Sequence, residues 1–132
     1  MYIVVIGCGR SGSYLANQLS KAGEDVVVID KKFGSFDRLS AEFTGFTING
    51  DATEIETLKS AKFDKADVVV ITTDNDNVNA MIAQIASGLY QIPKVMVRLL
   101  DPEKEVIYHN LNVITMSPTN LLVDKFTREI IG

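Results

Sequence analysis

Short runs of apolar, β-branched residues recur along the chain, separated by stretches in which apolar residues return every three or four positions. Continuous apolar runs are typical of buried strands, and the intervening spacing is typical of amphipathic helices. The pattern predicts strands at 2–6, 26–30, 46–48, 68–71, 95–97 and 113–114. It predicts helices at 10–22, 33–43, 54–61, 75–90, 102–110 and 118–131.

The predicted strands are mostly continuous apolar runs rather than alternating ones, which is typical of a parallel sheet covered on both faces. Six such strands alternating with helices predict an α/β fold with a Rossmann-like, doubly wound parallel sheet in the order 3-2-1-4-5-6. The 132 residues fit one domain, and we find no internal repeat or linker. We therefore expect a single domain over 1–132.

A glycine-rich turn separates the first strand from the first helix, and its sequence is Gly7-Cys8-Gly9-Arg10-Ser11-Gly12. Between a strand and a helix, this spacing indicates a dinucleotide-binding turn. The first glycine permits the sharp turn, the second lets a pyrophosphate approach the backbone, and the third lets helix and strand pack closely. The helix N-terminus then offers free N–H groups to phosphates, and Arg10 is placed to reach one.

Polar residues follow the ends of the other strands. In doubly wound sheets, ligands bind beyond the carboxyl ends of the strands, so these residues are expected to line one crevice with the glycine turn. Asp30, 18 residues after Gly12, is expected to accept hydrogen bonds from the ribose hydroxyls and to favour NAD over NADP, although Lys31 and Lys32 offer an offsetting charge. The remaining candidates are Asp51 and Ala52 near the adenine, then Thr72, Thr73, Asp74 and Arg98.

Charge and cysteine content narrow the class of protein. The net charge of −4 and the pI of about 4.9 argue against nucleic-acid binding. The single cysteine, Cys8, has no internal disulfide partner, which favours a reducing cytoplasm. No basic segment precedes the first strand, and the apolar runs are far shorter than the roughly 20 residues of a membrane helix, so we expect neither a signal peptide nor direct membrane insertion.

The motifs occur in a characteristic order over nearly the whole chain. They are Ile6-Gly7-Cys8-Gly9-Arg10-Ser11-Gly12, Val27-Val28-Ile29-Asp30, Gly50-Asp51-Ala52-Thr53, Thr73-Asp74-Asn75-Asp76-Asn77-Val78-Asn79, Arg98-Leu99-Leu100-Asp101-Pro102 and Val113-Ile114-Thr115-Met116-Ser117-Pro118. Together they resemble the N-terminal nucleotide-binding domain of the bacterial Trk and Ktr potassium-uptake regulators, called the RCK or TrkA-N domain.

This resemblance implies a cytoplasmic subunit that binds NAD(H), or alternatively ATP, ADP or AMP, and that assembles into a ring beneath a membrane-embedded potassium channel or transporter. It implies nucleotide contacts at Gly7–Ser11, Asp30, Asp51, Thr73, Asp74 and Arg98. Most members of the family continue into a C-terminal regulatory lobe, whereas this sequence stops at Gly132. No such lobe is expected within these residues.

The alternative class is an enzyme, a small NAD-dependent oxidoreductase. Tyr90 and Lys94 match the Tyr-x-x-x-Lys motif of short-chain reductases by spacing, but Pro93 ends the helix that would align them. The only histidine, His109, lies far from the strand ends, and Cys8 is more simply explained as a small residue between two glycines. We expect no catalytic residue and no metal site; a redox-sensing module without a transport role stays open.

The last predicted helix, 118–131, is unusually apolar. Leu122, Phe126 and Ile130 form one stripe that is expected to cover the end of the sheet. Leu121, Val123 and Ile131 lie outside that stripe and are expected to form an exposed patch for a partner. We therefore predict a homodimer or a higher even-numbered ring that uses this helix.

Overall fold

A computed structural model describes all residues, 1–132, as one α/β domain. The strands are β1 (Tyr2–Ile6), β2 (Asp25–Asp30), β3 (Phe46–Asn49), β4 (Val68–Ile71), β5 (Lys94–Arg98) and β6 (Ile114–Met116). The α-helices are α1 (Arg10–Lys21), α2 (Ile55–Ser60), α3 (Asp76–Gln84) and α4 (Pro118–Ile131). Short 3₁₀ segments occupy Phe33–Arg38, Phe63–Lys65 and Pro102–Tyr108, and a π turn, Ile85–Leu89, continues α3.

The six strands form one parallel sheet in the order β3-β2-β1-β4-β5-β6. The predicted order is therefore confirmed. β1 lies at the centre because its five residues are flanked by β2 on one side and β4 on the other. The chain reverses its direction of winding there, which places the topological switch point beside the glycine turn.

The two faces of the sheet carry cores of unequal size. Alternate strand residues point to opposite faces, so Val4 and Ile6 join a cluster of 20 buried residues, with Leu58 of α2 and Ile82 of α3. On the other face, Val5 and its neighbours form a cluster of only 6 buried residues beneath α1. The face with α2 and α3 therefore supplies most of the apolar burial.

The smaller core stops halfway across its face. Val70 and Met96, which lie side by side in register with Ile114, are only partly buried, and Ile114 is 44% exposed. No residue of α4 is buried, and Phe126 is 58% exposed. The expectation that one stripe of α4 covers its own sheet is wrong, because the helix leaves β6 without folding back over it.

The segment after β2 differs from the helix predicted at 33–43. A 3₁₀ segment ends at Arg38, and the chain then turns extended at Leu39. Polar side chains of α1 explain the difference, since Asn17 accepts a hydrogen bond from Ser40 N–H (3.0 Å) and donates one to the carbonyl of Arg38 (3.4 Å). These bonds take backbone groups that a continuous helix would have used.

The predicted helix at 102–110 is a 3₁₀ segment that ends at Tyr108, and its first turn is capped by the Asp101 side chain. The helix predicted at 75–90 is present, with Asn75 as its N-cap, but it widens into the π turn near Gly88. None of the helices combines the length and the apolar character required to cross a bilayer.

Candidate functional site

A cleft of about 630 Å³ opens at the carboxyl ends of the strands, at the switch point. This volume lies within the range of small-molecule and cofactor sites. Ten residues predicted from the sequence line it: Gly7, Gly9, Asp30, Lys31, Asp51, Ala52, Thr72, Thr73, Asp74 and Arg98. The other four, Cys8, Arg10, Ser11 and Gly12, belong to the glycine turn and the first turn of α1 but do not line the cleft.

The three glycines of the turn differ in what a side chain would meet. Gly7 has φ +100°, a conformation that other residues rarely adopt. A Cβ at Gly12 would lie 1.8 Å from the carbonyl oxygen of Gly7, so α1 packs against the turn with no room for a methyl group. A Cβ at Gly9 would meet nothing within 4 Å. Nothing in the protein itself therefore requires glycine at position 9, which is exposed to the cleft.

The N-terminus of α1 faces this turn without a side-chain cap. First-turn N–H groups have no partner within a helix, and together with the helix dipole they favour an anion. Asp30 braces the turn from β2, because its Oδ2 accepts the N–H of Cys8 at 2.7 Å. Its other oxygen, Oδ1, accepts the N–H of Lys32 at 2.7 Å. The Asp30 carboxylate thus fixes the turn and the start of the loop after β2.

Cys8 is fully buried, and its thiol donates to the carbonyl of Ser35 at 3.3 Å. Burial, followed by the charge of Asp30, raises the pKa of the Cys8 thiol, and the charge of Arg38 offsets only part of the increase. A raised pKa keeps the thiol protonated and poorly nucleophilic. Cys8 is therefore a packing residue of the turn rather than a thiolate at a helix N-terminus.

The end of β3 supplies the opposite rim of the cleft. Oδ1 of Asp51 accepts hydrogen bonds from the N–H and the hydroxyl of Thr53, at 2.9 Å and 2.7 Å. These two bonds are the main causes that lower the pKa of the Asp51 carboxyl, with a smaller contribution from Lys31. The ammonium of Lys31 lies 3.7 Å from Oδ2 of Asp51, which joins the loop after β2 to the loop after β3.

The ends of β4 and β5 form the remaining wall. The guanidinium of Arg98 donates to the carbonyls of Thr72 and Thr73, at 2.6 Å and 2.9 Å. Its Nε is buried and has no hydrogen-bond partner within the protein. The buried hydroxyl of Thr72 contacts the carbonyls of Ile6 and Gly7, both at 3.1 Å, and so ties β4 to the glycine turn.

Two buried polar residues of α3 hold this wall in place. Asp76 accepts the backbone N–H groups of Leu100 and Asp101, both at 2.8 Å. Asn79 donates to the carbonyls of Thr73 and Arg98 and accepts from the Thr73 hydroxyl. The sequence placed both residues in a motif but gave no sign that they support the cleft from behind, because most of their partners lie at or just after the end of distant β5.

Sequence reasoning missed part of the lining. Two cationic or polar side chains come from the 3₁₀ segment after β2, namely Ser35 and Arg38. The others are Ile6, Ile29, Val78 and Ile82. Gly50 and Lys32 also line the cleft, and the sequence had indicated them only as the residue before Asp51 and as a charge that offsets Asp30. The helical spacing of apolar residues at 33–43 predicted only which residues of that segment would be buried. Arg38, the one basic residue of that segment, was the available signal.

The residues of the enzyme alternative lie outside the cleft. The ring of Tyr90 packs edge-on against Phe63, with centroids 5.2 Å apart. Lys94 is the first residue of β5, so Tyr90 and Lys94 do not share a helix. His109 is exposed and does not line the cleft. No acid–base pair of the reductase type is therefore assembled here.

The lining suits an adenine dinucleotide by its chemistry. A helix N-terminus and a side-chain-free Gly9 suit a pyrophosphate. The Asp30 carboxylate suits the vicinal hydroxyls of a ribose, and the apolar side chains of the lining suit a flat base. The Nε of Arg98 is a further donor for which the protein provides no acceptor.

The fold and this cleft define a Rossmann-type nucleotide-binding domain. Residues 3–117 match the TrkA-N domain family, so the chain belongs to that family. Among curated relatives, the chain is 32% identical over 131 residues to the Trk system potassium uptake protein TrkA of Streptomyces coelicolor, which covers 99% of this chain and 59% of that protein. The chain thus spans about three-fifths of the length of this relative.

Solved structures share the fold at lower identity. The TrkA-N domain of the Escherichia coli inner membrane protein ybaL has a TM-score of 0.86 and 18% identity, covering 98% of this chain and 96% of that one. The GsuK channel bound to NAD has a TM-score of 0.76 and 22% identity, covering 97% of this chain and 23% of that one. At these identities the likeness demonstrates the fold.

Proposed function

We propose that this chain is the nucleotide-binding part of a regulator of potassium uptake, with NAD(H) as its ligand and ATP, ADP or AMP as alternatives. The observation that carries the proposal is the cleft, in which Asp30 and the uncapped N-terminus of α1 are joined by the Cys8 N–H bond. Ribose and pyrophosphate are adjacent in NAD(H), and Asp30 and the N-terminus of α1 are correspondingly adjacent in the protein. The relationship to TrkA proteins supports the transport role.

Regulation requires that the bound nucleotide shift a conformational equilibrium rather than react. The cleft offers carboxylates, cations and backbone donors, and the histidine and the Tyr–Lys pair lie elsewhere. We therefore propose a binding domain without turnover. It would act on the cytoplasmic face of the membrane, through a membrane-embedded potassium channel or transporter.

Calorimetric titration with NADH tests the ligand assignment. Hydrogen bonds to a charged group contribute about 1.5–3 kcal/mol, so Asp30→Ala should weaken NADH binding roughly ten- to a hundredfold. Asp30 also holds Cys8 N–H, so Asp30→Asn is the companion variant, because it keeps one acceptor and the side-chain volume. Equal NADH affinity in all three proteins would reject the ribose contact.

Assembly is the second part of the proposal. The exposed apolar residues of α4 and the half-covered face of β4–β6 are two apolar surfaces of one protomer, and neither is buried by the other. Exposed apolar surfaces of this kind mark interfaces. We propose that α4 of one copy packs on the partner's β4–β6 face, giving a homodimer or a higher even-numbered ring.

Light scattering coupled to size exclusion tests this arrangement. Phe126→Asp places a charge in the centre of the apolar α4 surface, and we expect it to convert the oligomer to monomer. Arg128→Asp, on the same helix, is the matched control because it changes charge without removing apolar area. An oligomer that survives Phe126→Asp unchanged would place the interface elsewhere.

A further inference from the structure

Two exposed cationic side chains that line the cleft have no partner within the protein. They are Lys32 and Arg38, which follow Asp30 in the chain. Neither takes part in the ion pairs of the structure, and neither side chain makes a hydrogen bond. The other two cations of the lining are engaged, Lys31 with Asp51 and Arg98 with backbone carbonyls. Lys32 and Arg38 are thus the cations available to a ligand.

Lys32 and Arg38 follow the strand whose last residue, Asp30, is proposed to contact the ribose. Asp30 is the last residue of β2, Lys32 follows it, and Arg38 ends the 3₁₀ segment that comes next. In doubly wound sheets an acid at the end of this strand meets the ribose 2′-hydroxyl of NAD, or else an arginine nearby accommodates the 2′-phosphate of NADP. Both groups are present together here.

The charge of Asp30 does not exclude a phosphate by itself. Each of its two oxygens already accepts a backbone N–H at 2.7 Å, from Cys8 and from Lys32. These bonds satisfy part of the carboxylate charge, and among the cleft-lining residues of β2 and the segment after it, two unpaired cations stand against that one anion. The lining that this part of the chain supplies is therefore net positive, contrary to what Asp30 alone implies.

We propose that Lys32 and Arg38 form a subsite for a phosphoryl group on the ribose 2′-oxygen, so that the cleft binds NADP(H) as well as NAD(H). Arg38 contributes a planar fork that can donate two parallel hydrogen bonds to phosphate oxygens, and Lys32 contributes a point charge. This inference rests on the proposed nucleotide-binding function and specifies the class of nucleotide.

Titration with AMP and with adenosine 2′,5′-bisphosphate isolates the subsite, because the two ligands differ only in the 2′-phosphate. The full chain should bind the bisphosphate at least as tightly as AMP. Arg38→Ala and Lys32→Ala should each weaken the bisphosphate roughly tenfold or more while changing AMP less than about twofold. Lys94→Ala is the matched control, since Lys94 is the first residue of β5 and the cleft lies at the carboxyl ends of the strands. NADPH and NADH should follow the same pattern.

The outcomes separate this inference from the function on which it rests. AMP binding with a bisphosphate affinity a hundredfold lower would overturn the subsite and leave the nucleotide-binding function standing. An equal loss for both ligands in Arg38→Ala would also overturn it, because Arg38 would then act on the part they share. Failure of AMP, NADH and the bisphosphate alike would reject the proposed function, and the subsite with it.

Discussion

Alanine at Gly9 and alanine at Gly12 should have opposite effects, although both remove a glycine from the same turn. At Gly9 the added Cβ meets nothing within 4 Å, and φ is −78°, which alanine adopts readily. Restricting the unfolded chain then stabilises the fold by about 0.4–1 kcal/mol. Gly9→Ala should therefore keep its structure or unfold slightly later than the wild-type protein.

Gly9→Ala should weaken nucleotide binding, although it leaves the stability of the fold unchanged or slightly higher. The Cα–Cβ bond adds about 1.5 Å to the surface that a phosphate must approach, which is enough to break a charge-assisted hydrogen bond to the first turn of α1. The loss of one such bond, about 1.5–3 kcal/mol, predicts an NADH affinity lower by roughly ten- to a hundredfold. This loss would occur in a protein of undiminished stability.

Gly12→Ala places a Cβ 1.8 Å from the Gly7 carbonyl oxygen and 2.8 Å from the Thr72 hydroxyl. Because ordinary contact requires about 3.5 Å, α1 must move away from β1, and we expect a loss of about 3 kcal/mol or more in the free energy of unfolding. Urea unfolding and NADH calorimetry on both variants measure the two quantities, with Gly88→Ala as the control remote from the cleft. Undiminished NADH affinity in Gly9→Ala would refute the phosphate position.

Three further changes test other parts of the structure. Asp76→Ala should lower the free energy of unfolding by about 3 kcal/mol, because a buried carboxylate that accepts two backbone N–H groups is lost; a urea midpoint within error of wild type would contradict this. Tyr108 has a buried hydroxyl without a partner, and burial followed by the charge of Asp76 raises its pKa. Tyr108→Phe should therefore unfold no earlier at pH 7. It should also lose less stability as pH rises above about 10, where the unfolded wild-type phenol ionises first; a steeper alkaline decline would be inconsistent. Tyr90→Phe should leave any slow NADH oxidation unchanged, and a substrate-dependent oxidation that disappears in this variant would restore the reductase alternative.

The sheet could be predicted from the sequence because each strand is specified by a short, contiguous run of residues. Most strands are short apolar runs, as in Val68–Ile71, and connections between parallel strands are almost always right-handed. The cleft followed from the same logic, since the carboxyl ends of β1, β2 and β4 must meet at the switch point. Ten of the predicted site residues line the cleft for that reason, and their contacts with a nucleotide remain predictions.

What escaped prediction depends on side chains distant in sequence. The segment after β2 has helical spacing, but Asn17 of α1 takes its backbone groups and leaves a 3₁₀ turn with an extended exit. That displacement brings Arg38 to the cleft. Likewise, α4 has an apolar stripe that favours packing on its own sheet, and its additional apolar residues predicted a partner surface but not that the whole helix would leave that sheet uncovered.

The bond between Asp30 and the Cys8 N–H has a kinetic consequence. The carboxylate that is proposed to meet the ribose also holds the backbone of the glycine turn, so both halves of the proposed contact surface are set before any ligand arrives. A ligand that meets a surface already in its bound shape loses little to ordering the protein. Association on this side of the cleft should then approach the rate of diffusional encounter, and differences in affinity among nucleotides should arise in how long each one stays.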